Sequence, residues 1–277
     1  MDDDTEDAAE LALLLKLAAW SGEHALPMFC GALALLLVAS WLFWVGLLRY
    51  AGPPGKHRLS APWDVFLRIG AGFVVIGGAA IVFAEIADDL TEQDLDSIDQ
   101  TFMRSLAAHV APATRELFQW LTRLGDTMTL TGICIVVTWA LLWRRHRWLT
   151  LGWVTTVAGG TALNWLLKQY FQRARPVHDG FEAVQGFSFP SGHSAGSVIV
   201  YGMLAYLAMR LLPARWHVPV ALIVAMLAGT IGASRLFLGV HYPSDVVSGF
   251  AVGIAWLGLC ITSIEWGRWQ RGRLAKD

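Results

Sequence analysis

The sequence predicts an all-α protein, a membrane helix bundle of about seven spans with amphipathic helices at its surface. Hydrophobic residues make up 55% of the 277 residues and charged residues only 16%, whereas soluble domains carry about 25% charged residues. The apolar residues are grouped into runs close to the roughly 20 residues that a helix needs to cross a bilayer. Gly-Pro loops and clusters of charge separate these runs.

The N-terminal part begins with an acidic stretch and a short helix-prone run at residues 8–20, which predicts a helix at the membrane interface. Residues 28–48 are the first run long enough to span, and the Gly-Pro-Pro-Gly stretch at 52–58 predicts a loop. We therefore assign residues 1–60 to an acidic N-terminus, an interfacial helix and an extra span. The rest of the chain, 61–277, is predicted to form the core.

The core begins with an apolar run at residues 65–87, followed by a segment of different character at 88–126. This segment is acidic at first, and then Ile98, Phe102 and Leu106 recur at helical spacing. The pattern predicts amphipathic helix lying at the membrane surface. Five further apolar runs follow, at residues 128–143, 148–167, 194–212, 218–233 and 246–264.

Basic residues orient the bundle, because short cytoplasmic loops carry an excess of Lys and Arg. Four basic clusters lie at residues 49–58, 144–147, 210–215 and 268–276. With about seven spans, all four fall on one side, and the acidic N-terminus and segment 88–126 fall on the other. We expect a multi-pass protein of a bacterial inner membrane, with an outward N-terminus and a cytoplasmic C-terminus.

The composition also predicts which partners and cofactors the protein does not bind. The net charge of −1 provides no global field for nucleic acid, so no nucleic-acid partner is expected. Cys30, Cys134 and Cys260 all fall inside apolar runs, and no cluster of Cys, His and Asp has metal-ligand spacing. We expect no metal and no cofactor. The oligomeric state is left open.

Ionisable residues collect at one end of the predicted spans in the C-terminal half, a placement that is costly and usually functional. They fall into three stretches: Lys168, six residues, Arg175-Pro176; then Pro190-Ser191-Gly192-His193; then Ser234-Arg235, five residues, His241, three residues, Asp245. The predicted topology brings all three stretches to the outer face. Cations, two histidines and one carboxylate suit an anionic substrate that carries phosphate.

In order and in spacing, these stretches resemble the signature motifs of the type 2 phosphatidic acid phosphatase (PAP2) superfamily. That family includes membrane lipid phosphatases, glucose-6-phosphatase and the vanadium haloperoxidases. The resemblance covers about residues 148–264, and the motifs do not reach the N-terminal quarter. It implies a six-helix core within residues 61–277, with the run at 28–48 as an extra N-terminal helix.

The resemblance also implies a role for each motif residue. His241 is expected to attack phosphorus and become a phosphohistidine, Asp245 to hold its other ring nitrogen, and His193 to protonate the leaving group. The residues expected to hold the phosphoryl oxygens are Lys168, Arg175, Ser191, Gly192 and Arg235. Because cations stabilise the transition-state charge, this mechanism requires no metal. Arg173 matches no motif position and is expected to be an interfacial anchor.

The sequence therefore predicts a phosphatase that acts on a lipid phosphate or diphosphate at the outer membrane face. Phosphatidic acid, phosphatidylglycerol phosphate and undecaprenyl diphosphate are the candidate substrates, with selectivity expected in residues 88–126 and 177–189. Two alternatives stay open. A phosphotransferase would pass the phosphate from the same histidine to another acceptor, and a transporter or scaffold would bind anions without turnover.

Overall fold

A computed structural model of the protein describes residues 3–50, 61–90, 93–176 and 185–274. These described residues form ten α-helices and two short 3₁₀ turns, and they contain no β-strand. The helices are α1 (Asp3–Glu23), α2 (Ala25–Tyr50), α3 (Ala61–Asp89), α4 (Gln93–His109), α5 (Pro112–Thr122), α6 (Thr127–Trp143), α7 (Arg147–Phe171), α8 (Gly192–Leu211), α9 (His217–Phe237) and α10 (Pro243–Leu274). The all-α prediction is confirmed.

Every predicted apolar run lies within a single helix among α2, α3 and α6 to α10, except that the run at 194–212 extends one residue beyond α8. Within the described ranges, four helical segments are long and apolar enough to cross a membrane: Pro112–Trp143, Gly192–Leu211, Ala214–Phe237 and Pro243–Gln270. Helices α1 and α2 meet at a bend of 81° and would add a fifth if they form one broken span. The predicted count of seven is not confirmed and stays a prediction.

Three predictions fall wholly or partly on residues outside those ranges. They are the loop at 52–58, most of the selectivity segment at 177–189, and parts of the basic clusters at 49–58 and 268–276. The predicted boundary between residues 60 and 61 borders the same gap. The division into two parts therefore stays a prediction.

The segment predicted to be amphipathic forms α4 and α5, which cover the end of the bundle that carries the motifs. Helix α1 packs closely along α4, where the Ser105 hydroxyl donates a hydrogen bond to the Ala19 carbonyl over 2.6 Å. On the other side, Phe118 of α5 stacks on Phe237 at the end of α9, with ring centroids 4.2 Å apart. The amphipathic segment is therefore anchored beside the third motif.

Helix α8 lies at the centre of the bundle and packs against α7, α9 and α10. Two glycines one turn apart, Gly249 and Gly253, let α10 approach α8 closely. A Cβ on Gly249 would lie 2.6 Å from the Ser191 carbonyl oxygen, and one on Gly253 would lie 2.9 Å from the Val198 Cβ. Small residues four apart are a common basis of close helix packing in membranes. This contact fixes the second motif against the third.

We expect Gly253→Val to destabilise the protein, because the new side chain would push α10 away from α8. Overpacking of this kind costs about 1–3 kcal/mol. The measurement is the melting temperature of purified protein in detergent. Gly229→Val is the matched control, since a Cβ on Gly229 of α9 meets nothing within 4 Å. Equal losses in the two variants would show that the close approach of α8 and α10 is not what limits stability.

Candidate active site

The site lies where α7 and α9 end and α8 and α10 begin. These four helix ends surround a cavity of about 390 Å³. Six of the eight residues predicted for the site line it: Lys168, Arg175, Gly192, His193, Arg235 and His241. The structure thus brings together residues that are up to 73 positions apart in the chain.

His241 lies in the turn between α9 and α10, in which Gly239 adopts a left-handed φ of 67°. Its Nδ1 lies 3.3 Å from Asp245 Oδ2, and its Nε2 lies 3.2 Å from Arg175 Nη1. Because a guanidinium can only donate, Nε2 is the acceptor, and Nδ1 carries the proton that is donated to Asp245. This pattern leaves the Nε2 lone pair directed toward the Arg175 guanidinium in the cavity.

The ionisation state of His241 follows from its surroundings. Burial is the largest cause, and together with the nearby Arg175 and Arg235 it lowers the pKa of His241 to about 3, against the opposing effect of Asp245. The ring is therefore neutral at pH 7. A neutral imidazole with an unprotonated Nε2 is the form that can act as a nucleophile.

The three cations of the cavity are held in place by the surrounding chain. Lys168 Nζ donates to the carbonyls of Phe187 and Ser188, over 2.7 and 3.1 Å. Arg175 Nη1 donates to the Val240 carbonyl over 2.9 Å. Arg235 Nη1 donates to the Thr122 hydroxyl over 2.8 Å.

Two buried donors at the cavity lack a hydrogen-bond partner among the described residues. They are Arg235 Nε and Asn164 Nδ2, and both residues line the cavity. Unpaired buried donors are costly, so their presence indicates a site for an acceptor such as a phosphoryl oxygen. Asn164 was not predicted, because no motif position marks it and only its place one turn before Lys168 in α7 brings it here.

Ser191 has a different place from the one expected of a phosphate ligand. It is the N-cap of α8, as its type predicts, and its hydroxyl accepts hydrogen bonds from the backbone N–H and the hydroxyl of Ser194. The residue is fully buried and is not among those that line the cavity. The backbone N–H of Ser191 donates to the Asp245 carbonyl over 2.9 Å, which joins the second motif to the third.

His193 has a carboxylate partner that the sequence did not predict. Its Nε2 lies 3.0 Å from Oδ1 of Asp126, the residue that precedes α6. A Cβ on the neighbouring Gly125 would lie 2.9 Å from the His193 ring, so the backbone passes close to the imidazole. The pair is 67 residues apart in sequence, and no motif spacing indicates it.

Arg173 was also assigned incorrectly. The expectation of an interfacial anchor is wrong, because its Nη1 lies 2.9 Å from Asp245 Oδ1 and its side chain is only 11% exposed. Its other nitrogen, Nη2, lies 2.8 Å from Oδ2 of Asp99 on α4. Burial raises the pKa of Asp99, against the lowering effect of Ser244 and Arg173. Arg173 and Asp99, both outside the motifs, thus join the Asp245 carboxylate to helix α4.

The family model of the PAP2 superfamily matches residues 147–269. Decaprenylphosphoryl-5-phosphoribose phosphatase of Mycobacterium tuberculosis is 35% identical over 138 residues, which cover 48% of this chain and 70% of that protein. The chain belongs to the PAP2 superfamily. Phosphatidylglycerophosphatase B of Bacillus subtilis is another PAP2-type relative, 28% identical over 176 residues, or 63% of this chain and 87% of that protein.

A solved structure shows the same fold. The crystal structure of a transmembrane PAP2-type phosphatidylglycerolphosphate phosphatase from Bacillus subtilis superimposes with a TM-score of 0.65 at 26% identity. The superposition covers 69% of this chain and 96% of that structure. The predicted membership of the PAP2 superfamily is therefore confirmed both by sequence comparison and by fold.

The lowered pKa of His241 predicts how stability depends on pH. A histidine in the unfolded chain has a pKa of about 6.5, so on acidification the unfolded state takes up a proton that buried His241 does not. The free energy of unfolding then falls as the pH falls below about 6.5, by up to about 1.4 kcal/mol per pH unit. We expect the melting temperature of wild type to fall more between about pH 7 and pH 5 than that of His241→Gln.

His109→Gln, at an exposed position on α4, is the control for this measurement. It should keep the wild-type dependence on pH. Identical pH dependence in wild type and His241→Gln would contradict the lowered pKa.

Proposed function

We propose that this PAP2-type membrane phosphatase hydrolyses a lipid phosphate or diphosphate through a phosphohistidine on His241. The observation that carries the proposal is the position of the His241 ring, whose Nδ1 is held by buried Asp245 and whose Nε2 meets Arg175 in a cavity lined by two further cations. Nucleophile, orienting carboxylate and phosphate-binding cations thus lie within one site.

In the first step, His241 Nε2 attacks phosphorus and the bond from phosphorus to the lipid oxygen breaks. The leaving oxygen takes a proton from the imidazolium form of His193, whose Nε2 is held by Asp126 over 3.0 Å. In the second step, water attacks the phosphohistidine, His193 takes the proton of that water, and the N–P bond breaks. Inorganic phosphate leaves, and both histidines return to their starting state.

The cations hold the phosphoryl group while charge develops on its oxygens. Lys168, Arg175 and Arg235 approach from three different elements, and the Gly192 amide lies at the N-terminus of α8, where a helix binds anions well. Arg235 Nε and Asn164 Nδ2 offer further donors, since neither has a partner within the described part of the chain. Ser191 contributes through its cap of α8, which places this amide.

A lipid substrate is favoured by the apolar surroundings of the cavity. Leu130, Val157 and Val200 line its inner part. A second cavity of about 480 Å³ between α6 and α7 shares Cys134 and Val157 with it and is bordered by exposed Trp139. An acyl or isoprenoid chain can extend along these side chains while its headgroup phosphate lies among the cations. The two named relatives are phosphatases of phosphatidylglycerophosphate and of decaprenylphosphoryl-5-phosphoribose, both of which carry a lipid chain.

The protein is membrane-embedded, and we place the active site on the outer face of a bacterial inner membrane, with the C-terminus in the cytoplasm. The basic residues that support this orientation lie at the opposite ends of the helices from the cavity, among them Arg144 and Arg145 after α6 and Arg210 at the end of α8. Residues 61–277 would then form the phosphatase core, with residues 1–60 added to it.

The central test is phosphate release by purified protein in detergent, with a panel of lipid phosphates and diphosphates and no added acceptor. We expect His241→Ala to lower turnover by at least about 10³-fold, because the covalent route is lost. Wild type incubated with ³²P-labelled substrate should yield acid-labile, base-stable labelled protein, and the variant should yield none. His217→Ala, at a partly exposed position at the start of α9 and at the opposite end of that helix from the cavity, should behave as wild type.

Substantial turnover by well-folded His241→Ala would refute the assigned nucleophile. Labelling of wild type that is released only on addition of an acceptor lipid would identify a phosphotransferase instead.

The orientation is tested by single cysteines on a background that lacks Cys30, Cys134 and Cys260. We expect Gln185→Cys, next to the cavity, to react with a membrane-impermeant maleimide in intact cells. Arg144→Cys, at the opposite end of the bundle, should react only after lysis, because the membrane shields the cytoplasm. Both positions are exposed in the structure. Labelling in the reverse order would overturn the outward-facing site.

A further inference from the structure

Arg173, which belongs to no motif, lies at the centre of a buried network of hydrogen bonds. It follows α7 in the extended stretch that leads to Arg175. Its Nη1 donates to Asp245 Oδ1 over 2.9 Å and to the Ser244 hydroxyl over 2.7 Å. The guanidinium also lies over the Tyr242 ring, 4.3 Å from its centroid. All of these contacts are with the turn that carries His241 and with the first residues of α10.

Asp245 depends on Arg173 for one of its two oxygens. Oδ2 accepts hydrogen bonds from His241 Nδ1 and from the Tyr242 backbone N–H. Oδ1 accepts from Arg173. The carboxylate is fully buried. Without the guanidinium, Oδ1 would lose its charged donor, and the carboxylate would be free to rotate away from the His241 ring.

The other side of the guanidinium is held by α4. Arg173 Nη2 donates to Asp99 Oδ2 over 2.8 Å and to Asp96 Oδ1 over 3.4 Å. Asp99, with a side chain only 3% exposed, also accepts hydrogen bonds from the backbone N–H and the hydroxyl of Ser244. A guanidinium fixed on both edges by carboxylates cannot swing, so its position is set by α4 as well as by α10.

Arg173 does not line the cavity and makes its contacts behind the His241–Asp245 pair. Any effect on the reaction must therefore be indirect, and Asp245 is the residue of the third motif to which Arg173 donates.

We propose that Arg173 is a positioning residue that fixes Asp245, and through it the Nδ1–H tautomer of His241, and that Asp99 of α4 anchors Arg173. The proposal rests on the proposed function for its kinetic consequence. It makes α4, which lies outside the family match, part of the apparatus that sets the nucleophile. In the reaction, His241 loses its Nε2 lone pair to phosphorus and becomes cationic, and a fixed Asp245 stabilises that charge.

The test compares Arg173→Met, Arg173→Lys and Asp99→Asn with two matched controls on α4. Arg104→Met removes an exposed arginine that donates to Gln100, and Asp94→Asn removes an exposed carboxylate. Phosphate release should show kcat lowered by at least about tenfold in Arg173→Met, by less in Arg173→Lys and Asp99→Asn, with KM within about twofold of wild type. The controls should match wild type.

Two further readouts distinguish positioning from loss of folded protein. The charged groups facing His241 are Asp245, Arg175 and Arg235. Removing the cation of Arg173 leaves Asp245 less compensated, which favours the imidazolium, so the acid limb of kcat/KM should move to higher pH in Arg173→Met. It should stay in place in Arg173→Lys. The double variant Asp99→Asn/Arg173→Met should lose no more than Arg173→Met alone, because both residues act along one path.

The last readout does not depend on turnover. In ¹⁵N-histidine NMR spectra, with the His241 signals identified by their loss in His241→Gln, wild type and Arg104→Met should show a single Nδ1–H tautomer. Arg173→Met should show a tautomer mixture. If this change occurs in a protein that releases no phosphate, the positioning stands and the proposed function fails.

Three outcomes would overturn the proposal. An unchanged His241 tautomer in Arg173→Met is the first, and losses that multiply in the double variant are the second. The third is a lowered kcat whose pH profile stays at the wild-type position, which would identify a purely structural role. If Arg173→Met does not fold, Arg173→Lys and Asp99→Asn decide the question by the same readouts.

Discussion

The arrangement of the site depends on one carboxylate that has no contact with water and must therefore find its hydrogen-bond donors within the protein. Asp245 is fully buried, and the donors that satisfy its side chain come from Arg173, from the His241 ring and from the Tyr242 backbone. Its own carbonyl accepts from the Ser191 N–H. A buried charge left unpaired is strongly destabilising, so the chain after α7, the start of α8 and the α9–α10 turn must meet in one arrangement. The nucleophile is placed as a result of that requirement.

The same arrangement explains why all the chemistry lies at helix ends. Side chains inside a span face lipid or neighbouring helices, whereas the ends of α7 and α9 and the starts of α8 and α10 place charge beside free backbone N–H groups. The amphipathic helices α4 and α5 then close the site. Phe118 packs on the last residue of α9, and Asp99 reaches the guanidinium of Arg173. Helices α4 and α5, which lie far from the third motif in the sequence, are therefore its neighbours in the structure.

Much of this could be predicted from the sequence, for identifiable reasons. Helix positions follow from apolar runs, which reflect a bilayer of fixed thickness, and the four-residue spacing of His241 and Asp245 reflects one turn at the start of a helix. Asp99, Asp126 and Arg173 could not be predicted. Their charged partners lie 67 to 77 residues away, and only tertiary packing decides which carboxylate meets which cation. The span count also stays a prediction, because α7 carries threonines and Asn164 that lower its hydropathy.

The contact between α8 and α10 has a consequence for how such a site can diversify. Gly249 and Gly253 leave no space for even one methyl group against Ser191 and Val198. Larger residues at these two positions would therefore disturb the packing of α8 on α10. The wall formed by α6 is built from ordinary apolar side chains, Leu130 and Cys134 among them, which can change size without disturbing a buried charge. Substitutions on α6 can therefore change the space for the lipid tail without changing the residues that bind and cleave the phosphate.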